Sequence, residues 1–184
     1  MDELLRTELL AMRDRDQVAA RKAFEASEQD ERFRGKFLFQ IPAEDWLPEF
    51  HEVAAITAEH APRILEIVRT HGWPGRSRVG DDGAAAAWLV LQHCGPEVQR
   101  MCLTALEAAV LSDEADAEHL ACVSDRIELE SGRLQIYATH LALNEAAEQV
   151  PLIGVADPDR LDVRRRDLGL EPWDVYVRRV SRRQ

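Results

Sequence analysis

At 184 residues, with 46% apolar residues, the chain is long enough to bury a single hydrophobic core. Its formal net charge of −11, from 34 acidic against 23 basic residues, argues against nucleic acid and anionic membranes as partners. The opening MDELLRTELL has neither the basic start nor the apolar core of a signal peptide, and no apolar run approaches a spanning length.

In chain order, residues 1–30 read as one charged amphipathic helix, with Leu5, Leu9, Met12 and Ala19 near helical spacing. The Phe-rich stretch 32–40 is a Gly-punctuated connector, and Pro42 and Pro48 bracket Trp46 in a region of turns. His51 to His60 reads as a short helix, and Pro62 restarts the chain into a second one that Gly72 closes. The loop Trp73–Gly80 then feeds the most apolar segment, Gly83–Leu91, a central helix capped by Asp81 or Asp82 and ending on Gln92 and His93. Gly95-Pro96 separates it from a helix over 97–111, and Asp116 caps the next, which runs toward Gly132. Residues 133–143 alternate well enough to predict a strand or extended segment that pairs as a hairpin with 150–155. Asp157-Pro158 starts a helix ending at Gly169, and Pro172 opens the last one. The reading is a mainly α, single-domain helical bundle over 1–184, with central helices at 61–131, an extended or hairpin segment at 133–155 and C-terminal helices at 157–184.

Cys94, Cys102 and Cys122 are odd in number and lack CxxC spacing, which fits free thiols in a reducing, cytoplasmic compartment. There is no P-loop, HExxH, GxSxG or dinucleotide fingerprint, so chemistry has to be sought in individual polar residues. His93, at the end of an apolar helix, reads either as a general base or as a capping imidazole. Asp125-Arg126 reads either as a carboxylate beside an anion clamp or as part of a surface salt bridge. Gln135, Tyr137 and His140 put two hydrogen-bonding groups and an imidazole within six residues. The basic triplet Arg164–Arg166 and the tail arginines 178, 179, 182 and 183 read as solvated faces.

These short motifs, taken in order, resemble a bacterial family catalogued as domain of unknown function 6624. Its pattern is an opening helix with DQ-x-x-x-R, then GWP, VG, a helix ending in QH, DR, a Q-x-Y-G-T-Q segment and a closing VD-x-RR-x-x-LGL. The matches are Asp16-Gln17 with Arg21, Gly72-Trp73-Pro74, Val79-Gly80, Gln92-His93 and Asp125-Arg126. They continue with Gln135, Tyr137-Ala138-Thr139-His140, and Leu161-Asp162 with Arg164, Arg165 and Leu168-Gly169-Leu170. The resemblance implies that Gln92, His93, Asp125, Arg126, Gln135 and Tyr137 are more than scattered surface polars. Two departures stand out: YGTQ has become Tyr137-Ala138-Thr139-His140, and His60 occupies a position where asparagine is expected.

The resulting expectation is a small enzyme of non-redox acid–base chemistry (cyclisation, isomerisation or hydrolysis) on a small molecule, in specialised metabolism. His93, His140 and Asp125 are the catalytic candidates. Arg126, Gln92, Tyr137, Gln135, Trp73 and Trp88 are the substrate-binding ones. No cofactor is expected, the alternative being a divalent metal on His60, His93 and His140. A homodimer is left open. The competing class is a ligand-binding, immunity, resistance or interaction module without catalysis. On the enzyme reading, replacing His93 by Ala abolishes turnover and leaves the thermal midpoint nearly unchanged.

Overall fold

The computed structural model describes residues 1–33, 40–144 and 148–181. Most of the expected Phe-rich connector and the last tail arginines lie outside the described residues. The chain is mainly α, as its periodicity indicates, with one two-stranded antiparallel sheet among the described residues. No described helix is long and apolar enough to cross a membrane. Two compact units are present, residues 1–115 and 116–184.

Among the described residues the first unit holds four α-helices, α1 (Glu3–Glu28), α2 (Pro48–His71), α3 (Arg76–His93) and α4 (Pro96–Leu111), with a 3-10 turn at Ala43–Asp45. Asp2 caps α1 by accepting from the Leu5 N–H at 3.1 Å, and α1 packs on both α2 and α3. Its buried stripe is Leu5, Leu9, Met12, Asp16, Ala19 and Ala23, an unbroken 4-3 spacing in which Asp16 is the charged member.

Helix α2 corrects one expectation. Pro62 does not start a new helix; it lies inside a continuous one. An interior proline costs about 3 kcal/mol. Here Ile56, His60, Ile64 and Ile67 form one buried stripe running through it, and that burial holds the helix together. Gly72, at φ 72°, ends α2 as expected, with its N–H on the Val68 carbonyl.

The GWPG loop and α3 are shaped by close approach. Glu114, beyond the end of α4, folds back onto the first turn of α3. Its side chain accepts from the Ser77 N–H at 2.8 Å and its carbonyl accepts from Arg76 N–H at 3.1 Å. These bonds place a carboxylate at a helix N-terminus, and the contact with Ser77 holds the Glu114 carboxyl below its ordinary range. A Cβ on Gly75 would lie 2.5 Å from Glu114 Oε2 and 2.6 Å from Glu114 Cβ. Gly80, at φ 73° and ψ 170°, kinks α3, so the straight helical run begins after it, near the expected Asp81 or Asp82. Beyond the kink Gly83, Ala84, Ala86 and Ala87 are buried small residues, and a Cβ on Gly83 would lie 3.3 Å from Arg6 Cγ of α1.

The second unit contains α5 (Ala117–Glu130), β1 (Leu141–Leu143), β2 (Gln149–Pro151), α6 (Leu161–Asp167) and α7 (Trp173–Ser181). The β1–β2 register pairs Leu141 with Pro151 and Leu143 with Gln149. The expected strand over 133–143 is thus confined to its last three residues. Before it, Gln135 makes an isolated parallel bridge to Val155, and residues 136–140 turn. A 3-10 turn at Pro158–Arg160 precedes α6, and Gly169, at φ 81°, ends that segment as expected.

Substituting Gly75 by Ala drives a methyl into Glu114 and loosens the start of α3. Urea unfolding should show a loss of about 1–3 kcal/mol, with an unchanged m-value.

Candidate functional site

The expected site residues divide between the two units. His60, Trp73, Trp88, Gln92 and His93 belong to the first, and Asp125, Arg126, Gln135, Tyr137 and His140 to the second.

In the first unit the organising group is Asp16. Its position in the buried stripe of α1 leaves it 1% exposed. His93, in the last turn of α3, meets it: His93 Nδ1 and Asp16 Oδ2 are 2.6 Å apart across 77 residues of sequence. A carboxylate accepts, so Nδ1 is the donor. The imidazole is 29% exposed, leaving Nε2 as the second functional atom. Gln17 Nε2 donates to the same Asp16 oxygen at 3.3 Å. The DQ and QH motifs are therefore one contact. Asp16 was not among the expected catalytic residues, though a lone charge inside an otherwise apolar 4-3 stripe is the signal that marks it.

Gln99 holds the chain on either side of His93. It is fully buried, and its Nε2 donates to the carbonyls of Leu91, Gln92 and Cys94 at 3.3, 3.0 and 2.8 Å. These carbonyls lie at and just past the end of α3, where the helix runs out of its own donors and the Cys94 N–H returns only to Leu91. Gln92 is half-buried, and its carbonyl is one of Gln99's acceptors. His60, on α2, is buried, and desolvation lowers its pKa below 6.5 against the opposing pull of Asp16. Trp73 is buried, with its indole N–H making no hydrogen bond among the described residues, and Trp88 is half-buried on α3. Burial pushes the Cys94 thiol up to about 12 and the Cys102 thiol up to about 11, which makes both inert.

The second unit's candidates form a different object. Asp125 is fully buried, and its carboxylate accepts four hydrogen bonds. Oδ1 takes the Ile136 and Tyr137 N–H groups at 2.6 and 2.8 Å, and Oδ2 takes the Thr139 N–H and hydroxyl, both at 2.8 Å. Gln135, equally buried, donates to the carbonyls of His140 and Leu152 and accepts from the His140 N–H. Tyr137 enters through its backbone, its carbonyl accepting from Arg165 Nη1 at 2.6 Å. Arg126 pairs with Glu130 one turn along α5, the salt-bridge reading of that residue. His140 is buried, with Nε2 donating to the Cys122 carbonyl at 3.1 Å, and desolvation lowers its pKa below 6.5. Burial likewise raises the Cys122 thiol to about 12.

The basic triplet is corrected. Arg166 is solvated, but Arg165 is 2% exposed and Arg164 reaches inward. Arg164 donates to the carbonyls of Ile136, Ala156 and Asp157, and Arg165 to those of Tyr137 and Glu171. The Arg165 guanidinium also lies over the Tyr176 ring, 4.8 Å from its centroid. Ala138, at φ 58°, occupies the left-handed region that suits the glycine of the YGTQ pattern. Among the described residues no group of three His, Cys, Asp or Glu side chains is arranged to hold a metal ion.

Replacing Asp125 by Asn leaves at least one buried N–H facing an amide donor. The expected loss is about 2–4 kcal/mol, with hydrogen-exchange protection falling first at the amides of Ile136, Tyr137 and Thr139.

His60 and His140 bind protons more weakly in the folded chain than in the unfolded one. Acidification below about 6.5 therefore protonates the unfolded chain first. Stability is full above that value and declines as pH falls toward the folded-state pKa values. Denaturant midpoints from about pH 8 down to about pH 5 should show this decline, and His140→Gln should make it shallower.

The model of a family of unknown function, DUF6624, matches residues 3–183. No curated protein and no solved structure matches the chain. The chain belongs to the DUF6624 family.

Proposed function

We propose that this member of the DUF6624 family is a cytoplasmic enzyme of specialised metabolism that performs non-redox acid–base chemistry on a small molecule. His93 is its proton-transfer residue and Asp16 its orienting carboxylate. The observation that carries the reading is the 2.6 Å contact between a buried carboxylate and a part-exposed imidazole. With Nδ1–H donated to Asp16, the lone pair is left on Nε2, the nitrogen that can accept a substrate proton and later return it. The carboxylate holds the ring in one tautomer and one orientation, the arrangement used by carboxylate–histidine pairs in acyl transfer and at metals. Arg126 and Asp125 have no part in this version, since Glu130 and the 136–139 backbone engage them.

The geometry changes the variant of choice. Removing His93 outright strands the Asp16 carboxylate in the core, with only the long Gln17 contact left, so His93→Ala is expected to lose about 1–3 kcal/mol of stability rather than none. Asp16→Asn is the cleaner test, because an amide keeps the shape and can donate to Nδ1. Nitrogen NMR of labelled histidine should find wild-type His93 protonated at Nδ1 and the variant's at Nε2. Incubation with a metabolite extract should then show one component consumed by the wild type and about 10²–10⁴-fold more slowly by Asp16→Asn. An Nε2–H tautomer in the wild type, or consumption indifferent to the substitution, would sink the proposal.

A further inference from the structure

Away from His93, a groove of about 750 Å³ runs between α2 and α4. That is within the range of small-molecule sites. Each helix contributes residues at i, i+3, i+4 and i+7: Pro62, Leu65, Glu66 and Arg69 from α2, and Met101, Thr104, Ala105 and Ala108 from α4. The α4 stripe flanks the buried one of Cys102, Leu106 and Ala109. The groove exists because Ala105 and Ala108 are too small to fill the space against Leu65 and Val68. Met101, 65% exposed, stands at its edge as a flexible, polarisable wall.

Two charged residues line this apolar trough, and they are not equivalent. Glu66 is engaged by Arg63, Nη1 to Oε2 at 2.6 Å. Arg69 is exposed, and among the described residues it has no hydrogen bond or ion pair. An unpaired guanidinium on an acidic chain, at one end of an apolar groove, selects for a ligand that is itself apolar with an anionic end. From Pro62 to Arg69 the α2 wall spans about 10 Å, the scale of a medium-chain acyl tail.

We infer that the α2–α4 groove is a binding site for a medium-chain carboxylate, its tail against Leu65, Val68, Ala105 and Ala108 and its carboxylate on Arg69. The site is independent of the His93 chemistry.

Titration calorimetry with decanoate, decanol and decyltrimethylammonium tests it on the full chain, alongside methyl NMR of labelled methionine. Decanoate should bind one to one, roughly tenfold tighter than decanol, and should shift the Met101 methyl signal. Arg69→Gln should bring decanoate down to the level of decanol and leave decanol unchanged. Ala105→Leu, which fills the trough, should abolish both. Equal binding of decanoate and decanol by the wild type overturns the assignment, as does binding that leaves Met101 unmoved. So does light scattering that finds a dimer whose formation shifts Met101 and excludes decanoate, since a second copy would then be the occupant.

Discussion

A carboxylate placed in the apolar stripe of an opening helix has to be answered by a donor, and the first unit is arranged around that requirement. Asp16 sits one turn from Met12 and one from Ala19, both buried. A charge desolvated there and left alone would cost several kcal/mol. His93 supplies the donor, and its position fixes the register of α1 against α3. A second tie, Arg6 to Asp82, joins the same two helices nearer their beginnings. The two ties are ten residues apart on α1 and eleven on α3, about 15 and 16.5 Å at helical rise. The spacings agree, so both contacts are made by helices running in the same direction. The missing side chain at Gly83, where a Cβ would lie 3.3 Å from Arg6 Cγ, lets α1 come close to α3 near the Arg6–Asp82 tie. Gln99 then stops α3 at the right place by taking over its last carbonyls.

The second unit obeys the same rule with the roles of backbone and side chain exchanged. Residues 136–139 turn within the fold, so their peptide groups have no ladder to join, and the ladder resumes at His140, whose carbonyl accepts from the Leu152 N–H at 2.9 Å. Side chains take them one at a time. The N–H groups of Ile136, Tyr137 and Thr139 go to Asp125, and that of His140 to Gln135. The carbonyls of Ile136, Tyr137, Thr139 and His140 go to Arg164, Arg165, Tyr176 and Gln135. Ala138, in the left-handed region, supplies the reversal. The DR, Q-x-Y-x-T and RR motifs, separated in sequence, are thereby parts of a single hydrogen-bond system. Arg165 can be buried because two carbonyls and the Tyr176 ring receive it, although burial lowers its pKa.

What the chain reveals before folding is what depends on local spacing. Leu5, Leu9, Met12 and Ala19 repeat at helical intervals and are buried; Gly72, Pro96 and Gly169 stop or start elements by their own backbone preferences. What stayed hidden depends on distant partners. Pro62 reads locally as a break, and only the stripe from Ile56 to Ile67 shows why the helix continues. The alternation of residues 133–139 reads as a strand, yet Asp125, eleven to fourteen residues upstream, takes the N–H groups a ladder would need. Arg164 and Arg165 look like solvated charges until the carbonyls they serve are known. Asp16 is intermediate: its place in the stripe is visible in the sequence, but its partner is not.

The two polar systems differ in a way that bears on chemistry. Asp125 and Gln135 are fully buried, and their side chains are spent on peptide groups within residues 136–140 and of Leu152 and on the Thr139 hydroxyl. The need to satisfy the loop accounts for them completely. Burial of Asp16 accounts for a donor at its side, and a serine, an asparagine or a backbone N–H would meet that need. It does not account for a donor that is titratable, that uses one nitrogen on the carboxylate and that keeps part of its ring exposed. Structural necessity thus covers one set of residues and leaves a remainder in the other. That remainder, the outer nitrogen of His93, is where the proposed acid–base chemistry is assigned.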